Sequence, residues 1–294
     1  MILIFVKIIF LTAMKHQTLL ILLTVILITA CNTKSTNQDI SPNIETAIEV
    51  DNHQPLIKTD MAESDIQPER NEYITVVLEK LNINDEDCYS EFITEKVLPY
   101  DTDKSLVVIP KMSHKEVDLY TLDAYIVIID HKTHEIIHMY HKKDEWTSDA
   151  IQLTGIAIDT APYILNASTR AFGIRTSYLG SSRVFSFSET TISLFIPEGK
   201  KLVKILEDYP VTITRGESGM GCEGYNEWTE TILIMTDNLT NGYKDILARS
   251  AITTTTYKEF NPKENDCDEE QLTEHKTNII RFEEGKYKFE KNEN

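Results

Sequence analysis

Past residue 100 the sequence becomes a succession of short runs rich in β-branched and aromatic residues, each closed by turn residues. No other feature limits the possible folds so much. Such side chains suit a pleated, half-buried surface, and turn residues at each end mark strand boundaries. The runs are residues 105–109, 124–130, 135–141, 151–159, 171–178, 190–196, 201–207, 211–214, 229–235, 243–250, 278–282 and 286–289. Several turns are short, notably Pro197-Glu198-Gly199-Lys200, Asn241-Gly242 and Glu283-Glu284-Gly285. Turns of this length join antiparallel neighbours, because a parallel pair needs a crossover of a dozen or more residues. Few long helical patterns intervene, which argues against βαβ units. The expectation is a mainly β fold: an antiparallel sandwich, an open barrel, or partial propeller-like sheets. One short N-terminal helix precedes it. Pro68-Glu69 opens that helix, and Tyr73, Ile74, Val77, Leu78 and Leu81 recur at helical spacing.

The first 30 residues carry no acid and two lysines, Lys7 and Lys15. A membrane-spanning helix needs about 20 largely apolar residues. Lys15-His16-Gln17 divides the apolar sequence, and the second run, residues 18–30, is too short to span comfortably. It has the length of a signal-peptide core. Met14 then stands where a signal peptide would begin. The run ends Leu27-Ile28-Thr29-Ala30-Cys31. This resembles the lipobox of bacterial lipoproteins, in which the cysteine sulfur takes a diacylglyceryl group and the peptide is cut just before it. The resemblance implies that Cys31 is lipidated and anchors the protein in the cell envelope. Each buried methylene contributes about 0.8 kcal/mol, so two or three acyl chains hold stably. Asn32, rather than an aspartate, follows the cysteine, which by analogy with known sorting signals favours the outer membrane.

Residues 32–70 contain no Phe, Tyr or Trp, but do contain Pro42, Pro55 and Pro68 among many polar residues. Such a stretch cannot bury enough apolar surface to order itself. The expected organisation is a signal peptide over 1–30, an acylated Cys31 with a disordered tether to residue 70, and one mostly-β domain over 71–294. The charge is strongly acidic, 29 basic against 47 acidic residues, for a net −18. Such a chain is repelled by phosphate backbones, which discounts nucleic acid as a partner.

Export permits disulfides. Besides Cys31 the cysteines are Cys88, Cys222 and Cys267. Cys222 and Cys267 both lie in Gly- or acid-rich sequence read as loop, so they are the expected pair. The bridge would close a loop of about 46 residues and contribute about 4 kcal/mol through chain entropy.

Three stretches invite a chemical reading. His134-Glu135-Ile136-Ile137-His138 fits H-E-x-x-H, in which two histidines bind zinc and the glutamate acts as general base. The motif needs a helix, where positions i and i+4 lie about 6 Å apart. On a strand they lie about 13 Å apart, too far to share one ion. Residues 125–130 read as a strand, and only His131, Lys132 and Thr133 separate them from the motif. A hairpin with return strand 135–141 is therefore expected, and a zinc-dependent hydrolase stands as the alternative. Asp237-Asn-Leu-Thr-Asn-Gly-Tyr-Lys-Asp245 resembles a calcium loop, with Asp237, Asn241 and Asp245 as ligands. Leu239 offers no side-chain oxygen there, and Asn241-Gly242 reads equally as a hairpin turn. A calcium-stabilised carbohydrate-binding module is the second alternative. Gly216-Glu-Ser-Gly-Met-Gly-Cys222 lacks the last glycine of a G-x-S-x-G nucleophile turn and reads as a loop. The aromatic residues Tyr178, Phe185, Phe187 and Phe195 are expected in the core.

Ile158-Asp-Thr-Ala-Pro-Tyr-Ile-Leu165 and Arg170-Ala-Phe-Gly-Ile-Arg-Thr-Ser-Tyr178, continuing into Gly180-Ser-Ser-Arg183 and Thr191-Ile-Ser-Leu-Phe195, resemble a family of uncharacterised bacterial envelope proteins, often lipoproteins. The resemblance extends over about residues 85–290 and implies an envelope location without implying an activity. Within this stretch Arg170 and Arg175 fall on opposite sides of one strand. One of them is expected to pair with a carboxylate such as Asp159. The functional expectation is a non-catalytic, lipid-anchored binding or structural domain without a cofactor. Its partners are the membrane, through the lipid, and an envelope protein or glycan.

Overall fold

The computed structural model describes residues 71–219, 221–263 and 265–289. Cys31, the signal-like segment, the proposed tether and Pro68-Glu69 lie outside the described residues. The one α-helix among the described residues, α1 (Glu72–Leu81), starts where the Asn71 side chain accepts the Tyr73 amide. It ends at Asn82, which takes a left-handed conformation (φ 52°). Its spacing buries Ile74, Val77 and Leu78 on one face. Two short 3-10 turns, Asp85–Asp87 and Ser90–Phe92, follow.

The described strands are β1 (Thr94–Leu98), β2 (Asp101–Lys115), β3 (Tyr120–Asp130), β4 (Ile136–Ser148), β5 (Ile151–Ile164) and β6 (Arg170–Gly180). They continue with β7 (Phe185–Glu198), β8 (Lys201–Ser218), β9 (Gly224–Thr240), β10 (Tyr243–Asn261), β11 (Asp266–Glu283) and β12 (Lys286–Lys288). They form two antiparallel meanders, β1–β4 and β5–β12, joined by a single parallel pairing of Met139 with Lys201. The sheet is open and mainly antiparallel, as a sandwich or open barrel requires.

Residues 106–109 of β2 and 126–129 of β3 are buried without interruption. Alternation explains why. Val107, Ile109, Val127 and Ile129 meet α1, while Leu106, Val108, Ile126 and Ile128 face β5–β7. There they pack against Ile156, Ile158, Phe172, Ile174 and Phe195. A further core joins Ile192, Leu194, Ile205 and Leu206 to Ile246, Ile280 and Tyr287.

Two differences from the sequence expectation have local causes. The runs 201–207 and 211–214 belong to one strand, β8. Asp208 adopts positive φ (49°) within it, and its amide and carboxylate both bond the Ser193 hydroxyl. The ladder with β7 shifts register near this point, so the strand continues past an irregularity that resembles a turn in sequence. Residues 94–98, with two charges in five, fall outside the strand runs read from the sequence but form the edge strand β1.

Candidate functional site

The outer halves of β7–β11 leave the cores behind. Residues 185–190, 212–218, 224–230, 251–257 and 269–275 pair in regular register as a five-stranded extension. Directly opposed residues share a face. One row therefore holds Ser188, Thr214, Trp228, Thr253 and Thr273 side by side. The next row on that face holds Ser186, Gly216, Asn226, Thr255 and Gln271.

Hydrogen bonds knit these rows together. The Thr253 and Thr273 hydroxyls lie 3.0 Å apart, and Gln271 Nε2 donates to Thr255 Oγ1 at 3.3 Å. Gly216 lets its neighbours close in: a Cβ there would lie 2.6 Å from Ser186 Oγ and 2.7 Å from the Tyr225 carbonyl, too near for either. Trp228 stands over this polar surface, 44% exposed. Tyr257, four residues beyond Thr253 on β10, is on the same face nearer the tip, opposite Gly224. A cleft of about 680 Å³ opens there, lined by Cys222, Glu223, Tyr257, Lys258, Glu259, Phe260 and Asp268. Lys258 pairs with Glu270 at 2.6 Å, and this hydrogen bond holds the Glu270 carboxyl below its usual range.

The opposite face is different in kind. The same register places Phe185, Glu217, Tyr225 and Glu270 in one row, and Arg215, Glu227 and Leu272 in the next. Phe185 and Leu272 are more than half exposed. Phe185 thus departs from its expected core position, because it lies beyond the packed part of β7; Phe195, at the packed end, is buried as expected.

The Cys222–Cys267 disulfide is present at the tip, with Cα atoms 5.5 Å apart. Cys267 lies within β11 rather than in a loop. Cys88 pairs through its backbone with Lys111.

The H-E-x-x-H residues occupy a hairpin. The Asp130 carboxylate accepts both the Thr133 amide and hydroxyl and the Lys132 amide, and the Thr133 bonds lead in holding its pKa low. His134 takes φ 56° at the turn, and β4 begins at Ile136. The three side chains then go separate ways. His134 lies against Tyr73 and 3.8 Å from Glu72, Glu135 pairs with Lys80, and His138 Nδ1 donates to the Gly199 carbonyl. They converge on no common point, so the geometry that zinc chemistry needs is missing from this motif.

The calcium-like loop is a two-residue turn in which Asn241 and Gly242 have φ 51° and 86°. Asp237 is exposed and pairs with Lys244, while Asn241 Nδ2 donates to the Phe282 carbonyl. Asp245 is buried, and its nearest cation is Arg281 at 3.9 Å. Among the described residues no group of three His, Cys, Asp or Glu side chains could hold a metal ion.

Arg175 meets Asp159 as expected, through two contacts of 2.8 Å. Arg170 instead donates to the Thr160 carbonyl and stacks 4.0 Å above the Tyr100 ring. Sequence reasoning missed a buried ionic cluster where β4 and β8 diverge. Lys204 and Glu145, both at most 6% exposed at the side chain, form an ion pair beside the Tyr140 and Phe195 rings. Glu207 draws in Lys142 and Lys286 at its rim. Burial and the Glu145 charge push the Tyr140 hydroxyl far above its ordinary range, so it remains protonated. The available signal was Lys204 itself, a lysine set within the aliphatic run Leu202-Val203-Lys204-Ile205-Leu206.

No protein-family model, curated protein or solved structure matches the chain.

Proposed function

We propose that this is a lipid-anchored protein of the bacterial cell envelope whose β domain is a non-catalytic binding module. The observation that carries the binding role is the five-stranded extension, whose two faces are displayed to solvent instead of being packed into a core. Five long strands are costly to order without burial, and a displayed contact surface gives them a purpose. The envelope location rests on the lipobox-like end at Cys31 and on the resemblance of residues 158–165 and 170–178 to envelope proteins. The internal disulfide is consistent with an oxidising compartment.

The test uses the intact chain in bacterial cells. Labelled palmitate should enter the protein, and the label should sediment with the outer membrane. Cys31→Ala should abolish both the label and the sedimentation. Label that survives this substitution, or a soluble unlabelled wild type, would overturn the anchor.

A further inference from the structure

We propose that the Trp228 face of the extension binds a linear, uncharged polysaccharide along the strand direction; this rests on the binding-module reading above and names its ligand. Trp228 offers a half-exposed apolar ring whose own row and the next row toward the tip are polar but not ionic; Glu230 lies in the adjoining row on the other side. A pyranose ring has the matching chemistry. Its C–H face can lie on the indole, while its hydroxyl edges both donate and accept hydrogen bonds. Thr253, Thr255, Asn226 and Gln271 also do both, through hydroxyl and carboxamide groups.

Charge selects among polymers. The two rows holding Trp228 and Asn226 carry no ionisable side chain, although the chain bears a net −18. A polyanion is repelled by the protein as a whole, and a polycation finds no carboxylate within these two rows, Glu230 and Glu269 lying in the rows that flank them. An uncharged polar chain meets neither penalty here. A protein partner would favour a desolvated apolar centre, whereas the neighbours of Trp228 in its row are hydroxyls.

Length and direction also fit. Tyr257 stands on the same face, four residues along the ladder, about 14 Å from Trp228 at 3.4 Å per residue. The 680 Å³ cleft at the tip begins there, with Phe260 in its lining. A short oligosaccharide can therefore rest on Trp228 and extend towards Tyr257 and the cleft.

Affinity electrophoresis tests this with the full chain in detergent micelles. The gels contain hydroxyethyl cellulose, xylan or galactomannan, with alginate as the polyanionic control. At least one neutral polymer should retard the protein, and alginate should not. Trp228→Ala should weaken retardation at least about tenfold, Trp228→Phe should retain most of it, and the melting temperature should stay near wild type in both. Absence of retardation in every neutral gel, or equal retardation of Trp228→Ala, would overturn the proposal. A photo-reactive residue at position 228, activated in cells, separates the two readings. A protein adduct without polysaccharide binding sinks the glycan and keeps the binding module. Neither adduct nor retardation sinks both.

Discussion

Asp159 shows how a single side chain can fix an irregular stretch of its own strand and tie it to the next. Burial opposes its ionisation most strongly. The Ala161 amide, the Arg175 guanidinium and the Tyr163 hydroxyl together outweigh that burial and keep its carboxyl below the usual carboxylate range. A depressed folded-state pKa means that the ionised form stabilises the fold above the ordinary value of about 3.9. That contribution disappears as the pH falls through the lower, folded value. Asp159→Asn should therefore cost about 2 kcal/mol at pH 7, in the range for hydrogen bonds to charged groups. The gap from wild type should narrow as the pH drops below about 4. Urea midpoints measured from pH 7 to pH 2.5 check this; a constant gap would show that Asp159 acts through packing alone. That one arginine would meet such a carboxylate was legible in sequence, because an odd separation sends Arg170 and Arg175 to opposite sides of the strand; which of the two does so was settled only by the fold. The Lys204–Glu145 pair was not legible, because it joins β4 to β8 across 59 positions in a place where the strands diverge.

At the level of elements, periodicity predicted well wherever one face is buried. The helix, the core-facing parts of most strands and the turn at Asn241-Gly242 follow from local patterns with a clear inside and outside. The extension escaped for the same physical reason. Residues 266–276 read as acid-rich loop, yet they lie in β11, whose residues are mostly exposed on both faces. Without a buried face there is no hydrophobic alternation to read. Trp228 was overlooked likewise, since it sits among Asn226, Glu227, Thr229 and Glu230 rather than in an apolar run. What the sequence did anticipate at this end was the staple. Cys222 and Cys267 join the β8–β9 turn to β11 across 45 positions. Because the extension lacks its own core, the disulfide should matter most locally. In Cys222→Ser, amides of residues 224–230 and 251–257 should exchange up to several hundredfold faster, corresponding to at most about 4 kcal/mol of local stability. Amides of residues 106–109 should keep their protection. Equal acceleration in both regions would mean that the extension and the cores unfold as one unit.

For the molecule as a whole, net charge is a term that acts across every element at once. The net −18 makes the folded chain repel itself, and the repulsion is not spread evenly over the described residues. The extension and its tip carry Glu217, Glu223, Glu227, Glu230, Glu259, Asp266, Asp268, Glu269, Glu270 and Glu274, against few basic residues. Several adjacent acids lie within about 10 Å of one another along and across strands, which is one screening length at 0.1 M salt. Exposed ion pairs such as Lys258–Glu270 and Lys132–Asp103 work in the opposite sense, since salt weakens them. Such exposed pairs are weak, because solvent screens them and holding two long side chains together costs entropy. With eighteen more acids than bases, repulsion should win. The melting temperature should therefore rise by several degrees between 10 mM and about 300 mM potassium chloride, most steeply below about 0.1 M where the screening length changes fastest. Differential scanning calorimetry of the full chain at pH 7.5 measures this directly. A charge-reversing variant on the extension, Glu269→Lys with Glu274→Lys, should reduce the salt response and raise the low-salt melting temperature. A flat or falling curve for wild type would show that the ion pairs, not the excess of acids, set the electrostatic balance of the fold.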